Sequence, residues 1–521
     1  MGAKIRTIHL ISNSHFMKIL SSHPLFARAE QHDARRAIVA REGVFTYHDL
    51  LVASAAASGV LLRGARDFAE TRVAFLVPPG LHYVTTQWGI WRAGGVAVPL
   101  AVTHPQPELE YVLQNSGARI AVAHPDFETR LEPLARKQGL RFLSTTDLLE
   151  PTAVNFPAID LQRRAMIIYT SGTTNKPKGV VTTHHNIVAQ ITSLISAWGW
   201  SPQDYLLNVL PLHHIHGIIN ALSCALWAGA TCELLPEFHP ETTWKRFLQG
   251  NTTVFMAVPT IYSKLINTWE AASPPEQKAM SEACARMRLM ISGSAALPAH
   301  VFKKWQVLSG HVLLERYGMT EIGMALSNPL HGERRAGFVG TPLPGVAVRL
   351  VDEHGEEVGP ETAGEIQVKG QNVFLEYWDN PAATQQVFRA GWFCTGDIAV
   401  IEKGYFRILG RASVDIIKTG GYKVSALEIE EVLRTHPDIV ECAVVGIPDA
   451  EWGERVGAAL VLHPNKQFSL FSLKEWACTR IAVYKIPTVI ITVIDLPRNA
   501  MGKIIKPEVV RLLQSSEKSS Q

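Results

Sequence analysis

The chain has 521 residues, 47% of them hydrophobic and 19% charged, which exceeds the reach of one hydrophobic core and predicts at least two domains. Its 50 basic and 47 acidic residues leave a net charge of only +3; with no basic stripe interleaved with aromatics, a nucleic-acid-binding role is excluded. No apolar run reaches the roughly 20 residues of a membrane span, and the six cysteines (Cys224, Cys232, Cys284, Cys394, Cys442, Cys478) stand singly without a Cys-x-x-Cys pair, so they read as reduced, buried thiols of an intracellular protein, without a disulfide framework or zinc site.

The first 29 residues carry Lys4, Arg6, Lys18 and Arg28 but no Asp or Glu. That composition reads as a transit peptide or a disordered basic N-terminus, so a mitochondrial matrix location is expected, with the cytoplasm as the alternative. From Thr46 onward helices and short strands alternate. Residues 72–77 read as a strand closed by Pro78-Pro79-Gly80, 81–92 as a helix ended by Gly94-Gly95, and 96–100 as the next strand. A helix over 108–115, stopped by Gly117, feeds a strand at 119–123. This βαβ rhythm predicts a mostly parallel sheet covered by helices. It resumes with strands near 206–210, 253–258 and 289–292, while the apolar stretch 217–232 reads as a buried helix.

Between these two halves lies Ile167-Ile168-Tyr169-Thr170-Ser171-Gly172-Thr173-Thr174-Asn175-Lys176-Pro177-Lys178-Gly179-Val180-Val181. Two apolar strand-like runs flank a loop whose Thr and Ser residues offer hydroxyl donors. Gly172 and Gly179 let backbone approach an anion, and Lys176 and Lys178 supply positive charge. A triphosphate suits it. A Walker loop does not, because that needs Gly-Lys followed by Ser or Thr, and here the order is Lys178-Gly179 after a donor-less Pro177. The run resembles the phosphate-binding motif of the adenylate-forming superfamily, which includes acyl-CoA synthetases, luciferases and peptide-synthetase adenylation domains. Asn175 departs from the glycine usual in that family, and Asn tolerates positive φ better than other side chains.

Beyond Gly340 the texture changes. Residues 346–351 and 364–368 alternate with period two, and a hairpin over 398–408 turns at Lys403-Gly404, predicting a small antiparallel unit. A short mixed domain closes the chain, with capping boxes at Ser425-Ala426-Leu427-Glu428 and Ser472-Leu473-Lys474-Glu475 and strands at 440–445, 458–462 and 489–494. The fold class is therefore α/β: two parallel-sheet subdomains plus a small antiparallel β unit form a large domain, residues 30–411. A small α+β domain, 412–521, follows, and the resemblance implies that it is mobile.

Five further stretches match the superfamily in order. Ser292-Gly293-Ser294-Ala295-Ala296-Leu297-Pro298 leaves room for a flat ring, and by resemblance forms a wall of the adenine and acyl pockets. In Glu315-Arg316-Tyr317-Gly318-Met319-Thr320-Glu321, Tyr317 can stack on adenine, Thr320 can reach phosphate, and Glu321 is a hard oxygen ligand suited to Mg²⁺. The resemblance assigns the metal to Glu321, with Thr173 beside it, and the ribose to Asp397 of Trp392-Phe393-Cys394-Thr395-Gly396-Asp397. Arg411 is implied in holding the nucleotide. Ser413 falls at the family's hinge, where Asp or Lys is usual, and Gly420, Gly421, Tyr422 and Lys423 are implied on the CoA side. Lys503, in Asn499-Ala500-Met501-Gly502-Lys503-Ile504, is implied as the catalytic lysine of adenylation.

For the acid, Pro211-Leu212-His213-His214-Ile215-His216-Gly217 lies where the family has acyl-pocket residues, so His214, His216, Ser292 and Met319 are expected there. Arg288, before the strand leading to Ser292, is expected to pair a second carboxylate of the substrate. That favours malonate, and the wording of these runs is close to malonyl-CoA synthetases. ATP, Mg²⁺ and CoA are the expected cofactor and cosubstrates. Another acyl- or aryl-CoA ligase and an adenylation enzyme loading a carrier protein stand as alternatives, and a monomer or weak dimer is expected.

Overall fold

The structure is a computed structural model describing residues 23–150, 155–170, 176–420, 422–449, 451–466, 468–498 and 504–519. It opens on α1 (Pro24–His32). The His23 ring accepts the Leu25 N–H, Pro24 fills the first turn, and Leu25, Phe26 and Ala29 are buried. The expected boundary at residue 29 is thus corrected: residues 23–29 belong to the folded body, because a capped, apolar first turn outweighs the basic composition around it.

The hairpin β1 (Arg36–Ala40) and β2 (Gly43–Thr46) leads into α2 (Tyr47–Leu62), opened by a Thr46/Asp49 capping box. The chain then alternates β3 (Arg72–Leu76), α3 (Leu81–Arg92), β4 (Val96–Pro99), α4 (Gln106–Ser116), β5 (Ile120–Ala123), α5 (Glu128–Lys137) and β6 (Arg141–Ser144). Gly117 ends α4 at φ +60°, the left-handed turn a helix stop requires. Parallel pairing runs β4-β3-β5-β6, β7 (Arg164–Thr170) joins parallel to β4, and β8 (Lys178–Thr183) returns antiparallel to β7.

The second layer begins with α6 (His184–Trp198) and β9 (Tyr205–Asn208). A buried π-helical turn, His216–Ser223, runs into α7 (Cys224–Ala228) and β10 (Thr231–Leu234). Next come α8 (Pro240–Leu248), β11 (Val254–Ala257), α9 (Pro259–Ala271), α10 (Pro274–Ala285), β12 (Leu289–Ser292), α11 (Ala299–Ser309), β13 (Leu314–Met319), β14 (Gly323–Ser327) and β15 (Thr341–Pro342). Strands β13-β12-β11-β9-β10-β1 are parallel neighbours, with antiparallel strands at each edge. In both layers the ends that matter are the carboxyl ends, where open α/β sheets bind ligands.

The antiparallel unit contains β16 (Val346–Val351) and β17 (Gly364–Gly370). Then β18 (Glu376–Tyr377) crosses back to pair with β8, before α12 (Pro381–Val387), β19 (Phe388–Arg389), β20 (Trp392–Glu402) and β21 (Tyr405–Arg411). The small domain follows with β22 (Ile416–Thr419), β23 (Tyr422–Ser425), α13 (Ala426–Leu433), β24 (Ile439–Asp449), β25 (Gly453–Leu462), α14 (Leu470–Ala477), β26 (Val489–Thr492) and α15 (Lys506–Ser519). Two expectations are corrected. Ser469, not Ser472, caps α14, and Ser472 is the returning partner of that box. Cys478 is exposed and Cys394 only partly buried, while the other four thiols are buried. Among the described residues no helix is long and apolar enough to cross a membrane.

Candidate active site

The β7–β8 hairpin places Thr170 opposite Lys178 at its mouth. Ser171, Gly172, Thr173 and Thr174, expected on the phosphates, lie outside the described residues, as does Asn175. Lys178 stands 5.1 Å over the ring of Tyr377 in β18, and the Tyr377 hydroxyl donates to Glu321 at 2.8 Å. Thr320 and Glu321 form the turn between β13 and β14. Burial pushes the Glu321 carboxyl above its ordinary range, opposed by that hydrogen bond and by the charges of Arg411 and Lys178. Such a carboxylate gains from a cation, and its hard oxygens fit Mg²⁺. Among the described residues no group of three or more His, Cys, Asp or Glu could hold a metal.

A second cluster lies where β20 meets β13. Asp397 accepts from the Tyr317 hydroxyl at 2.6 Å and from Arg411 Nε at 3.1 Å, Arg411 being its cross-strand partner. Burial raises the Asp397 carboxyl, and Arg411 opposes that rise. The β-bulge between Tyr317 and Gly318 aims the tyrosine, and Gly318 has no room for a Cβ because the Met324 backbone would stand 2.8 Å away.

The third cluster is the most constrained. Gly293 follows β12, and the Arg316 guanidinium lies on it: a Cβ would stand 2.5 Å from Nη1. Ser294 takes φ +70°, a left-handed conformation that costs a non-glycine residue about 1–3 kcal/mol. Its hydroxyl sits 3.3 Å from His216 Nδ1 and 3.5 Å from both terminal nitrogens of Arg316. Arg316 is 2% exposed and His216 5%, while Ser294 and Ala295 are exposed, so the cluster has a deep floor and an open lip. Arg316 Nε, His216 Nε2 and Ser292 Oγ are buried without a hydrogen-bond partner among the described residues. Glu315 points to the other strand face and accepts the Leu297 N–H at 3.1 Å. Burial lowers Arg316 to about 9 and raises Glu315 to about 8. Burial, then the Arg316 charge, keeps His216 well below the usual histidine range and therefore neutral.

The expected role of Arg288 is corrected. It precedes β12 at the amino end, about 13 Å along the strand from Ser292. There its guanidinium is held bidentately by Asp204 at 2.9 and 3.0 Å and by the Trp198 carbonyl at 2.7 Å. It is a structural ion pair. Arg316, in the run expected beside the nucleotide, makes no ion pair with a carboxylate among the described residues, and its Nε is buried without a partner there. Tyr377 was missed altogether. A signal for Arg316 existed: Glu315-Arg316 in an apolar strand must face opposite ways, and Ser292 pairs with Glu315 in register.

His214 and Met319 are partly buried near the same pocket's chain segments. Ser413 is exposed between β21 and β22. Gly420 (φ +53°) packs under Trp452, and Tyr422 stacks on Tyr484 with centroids 4.3 Å apart, both rings being solvent-exposed. Gly421, the Lys423 side chain and Lys503 lie outside what is described.

The pattern of the family described as AMP-binding enzyme matches residues 25–378, and that of the AMP-binding enzyme C-terminal domain matches residues 428–503. The mitochondrial malonate–CoA ligase ACSF3 of Xenopus laevis is 46% identical over 527 residues, covering 94% of this chain and 91% of that protein. ATP-bound MatB from Rhodopseudomonas palustris superposes with a TM-score of 0.86 at 34% identity, covering 96% of this chain and 100% of that one. A malonyl-CoA ligase in a ternary product complex with methylmalonyl-CoA and AMP gives 0.67 at 36% identity, covering 91% of this chain and 100% of that one. At similar identity, the chain therefore superposes more closely on the ATP-bound structure than on the product complex.

Proposed function

The chain belongs to the AMP-binding enzymes, and on that premise we propose that it ligates malonate to CoA through a malonyl-adenylate, consuming ATP and releasing AMP and pyrophosphate. The observation that carries the choice of acid is Arg316, a buried guanidinium beside neutral His216 that makes no ion pair with a carboxylate among the described residues. A buried, unpaired cation is costly, and a dianionic acid relieves that cost by presenting one carboxylate to Arg316 while the other reacts. The relatives named for malonate point the same way.

In the first half-reaction a malonate carboxylate oxygen attacks the α-phosphorus of ATP, and the bond to pyrophosphate breaks. Thr170 and Lys178, with the loop between them, hold the phosphates; Asp397 and Tyr317 hold the nucleoside; Lys503 and Arg411 offset the charge that builds as two anions meet. Mg²⁺, held by Glu321 and phosphate oxygens, would supply Lewis-acid neutralisation of the triphosphate. In the second half-reaction the CoA sulfur attacks the acyl carbon and AMP leaves, with Gly420 and Tyr422 on the side from which the thiol arrives. Methylmalonate is a second substrate of the same charge. The relatives named mitochondrial and the acid-free N-terminus support a matrix location.

Arg316→Met tests this reading. Malonate kcat/KM should fall by about 100-fold or more, the loss of a desolvated charge pair, with the KM for ATP nearly unchanged and short monocarboxylic acids gaining. An unaltered preference for malonate would refute the assignment.

A further inference from the structure

The turn that joins the two domains carries a largely buried ionic node that the reaction as described leaves unused. Arg411 ends β21, a strand fixed to the large domain through β20. Four residues on, the Asp415 carboxylate accepts the Arg411 backbone N–H through Oδ2 at 3.0 Å, and its Oδ1 lies 2.6 Å from Lys506 Nζ. Lys506 opens α15, three residues after Lys503, and α15 is anchored in the small domain by the buried side chains of Val509 and Leu513. The same ammonium stands 3.0 Å from Glu430 of α13, whose carboxylate also accepts the Val444 N–H and Arg434. Lys506 is nearly buried, and its two carboxylates hold its pKa above the usual lysine value although burial opposes them. The only chain between Arg411 and Asp415 is Ala412-Ser413-Val414, in which Ala412 and Ser413 are exposed.

One carboxylate therefore touches both bodies: one oxygen holds the last large-domain residue, the other the helix that follows the Lys503 segment. A rotation absorbed by 412–414 changes the separation of Arg411 N and Asp415 Oδ2 and parts that contact. Ser413, lacking the Asp or Lys usual at the family's hinge, offers no charge to do this work. We propose that Asp415 and Lys506 form a latch across the hinge that favours the orientation seen in this structure, and so act as positioning residues for adenylation. This rests on the two-step ligase reading above.

The test compares Asp415→Asn/Lys506→Met with Lys506→Arg and the parent enzyme. The double change removes both charges and leaves Glu430 its bonds to Arg434 and Val444, so no buried charge is stranded. Malonate-dependent pyrophosphate release should slow by about tenfold or more, while thioester formation from supplied malonyl-AMP and CoA stays within about twofold. Lys506→Arg, which keeps the charge, should restore pyrophosphate release to within about threefold. Independently of chemistry, trypsin cleavage after Arg411 should quicken by about fivefold or more in the double variant, the latch no longer protecting the hinge. An equal loss in both half-reactions, or unchanged hinge cleavage, would overturn the latch. A parent enzyme that releases no pyrophosphate with malonate would instead overturn the ligase reading, and hinge cleavage would still decide the latch.

Discussion

Two arginines show how far a single residue can be read. That a dicarboxylate site needs a desolvated guanidinium was legible; which arginine supplies it depended on strand direction. Arg288 enters its strand at the amino end, and ligands of parallel sheets gather at the carboxyl end, where Arg316 sits on Gly293. Asp204, 3% exposed, already neutralises Arg288. Arg288→Ala should accordingly leave the malonate KM within about twofold while costing about 1.5–3 kcal/mol of stability, the worth of hydrogen bonds to a charged group, readable as a lower Tm. A large rise in malonate KM without loss of stability would return Arg288 to the pocket. Tyr377 was illegible for another reason: it reaches Glu321 only because β18 crosses from the antiparallel unit to pair with β8, a non-local pairing that no local pattern announces.

At the scale of elements, the strands and helices expected between residues 72 and 123 fell within a residue or two, because their bounding Gly and Pro fix backbone geometry locally, whereas the helix expected over 217–232 ends at Ala228 and its last residues begin β10. The N-terminus did not, since docking of α1 is tertiary. His23 Nε2 lies 3.1 Å from His184 Nδ1 at the start of α6, and Leu25 and Phe26 are buried. A chain beginning at Glu30 should be less stable than one beginning at His23 by about 3–6 kcal/mol, the burial of those two side chains. The pH dependence has a definite sign. Burial lowers His23 to about 4 and His184 well below 6.5, so the folded pair stays neutral while freed imidazoles protonate. The stabilisation is therefore present above pH 6.5 and is lost as pH falls from 6.5 toward about 4. Urea denaturation of both chains across that range checks it; a gap in stability that does not shrink toward pH 4 would refute the neutral pair.

For the whole molecule, two parallel layers, an antiparallel unit and a terminal α+β domain were legible from the alternation of elements, and six motifs in order pointed to the family. The orientation of the small domain was not, because contacts such as that of Asp415 with Lys506 join residues far apart in sequence. Two-step chemistry with one mobile domain predicts that Lys503→Ala lowers malonyl-adenylate formation by about 100-fold or more while thioester formation from supplied malonyl-AMP largely persists. Equal loss in both steps would contradict a lysine that serves only the first. The most direct test of malonate ligation is the kcat/KM of the purified enzyme for malonate against butyrate, with ATP, Mg²⁺ and CoA, reading AMP and thioester together. Expected are equal amounts of AMP and malonyl-CoA and a preference for malonate of about 10³, as a site built around a buried charge rejects an acid that leaves it unpaired. Butyrate within tenfold of malonate, or no malonate-dependent AMP, would contradict it.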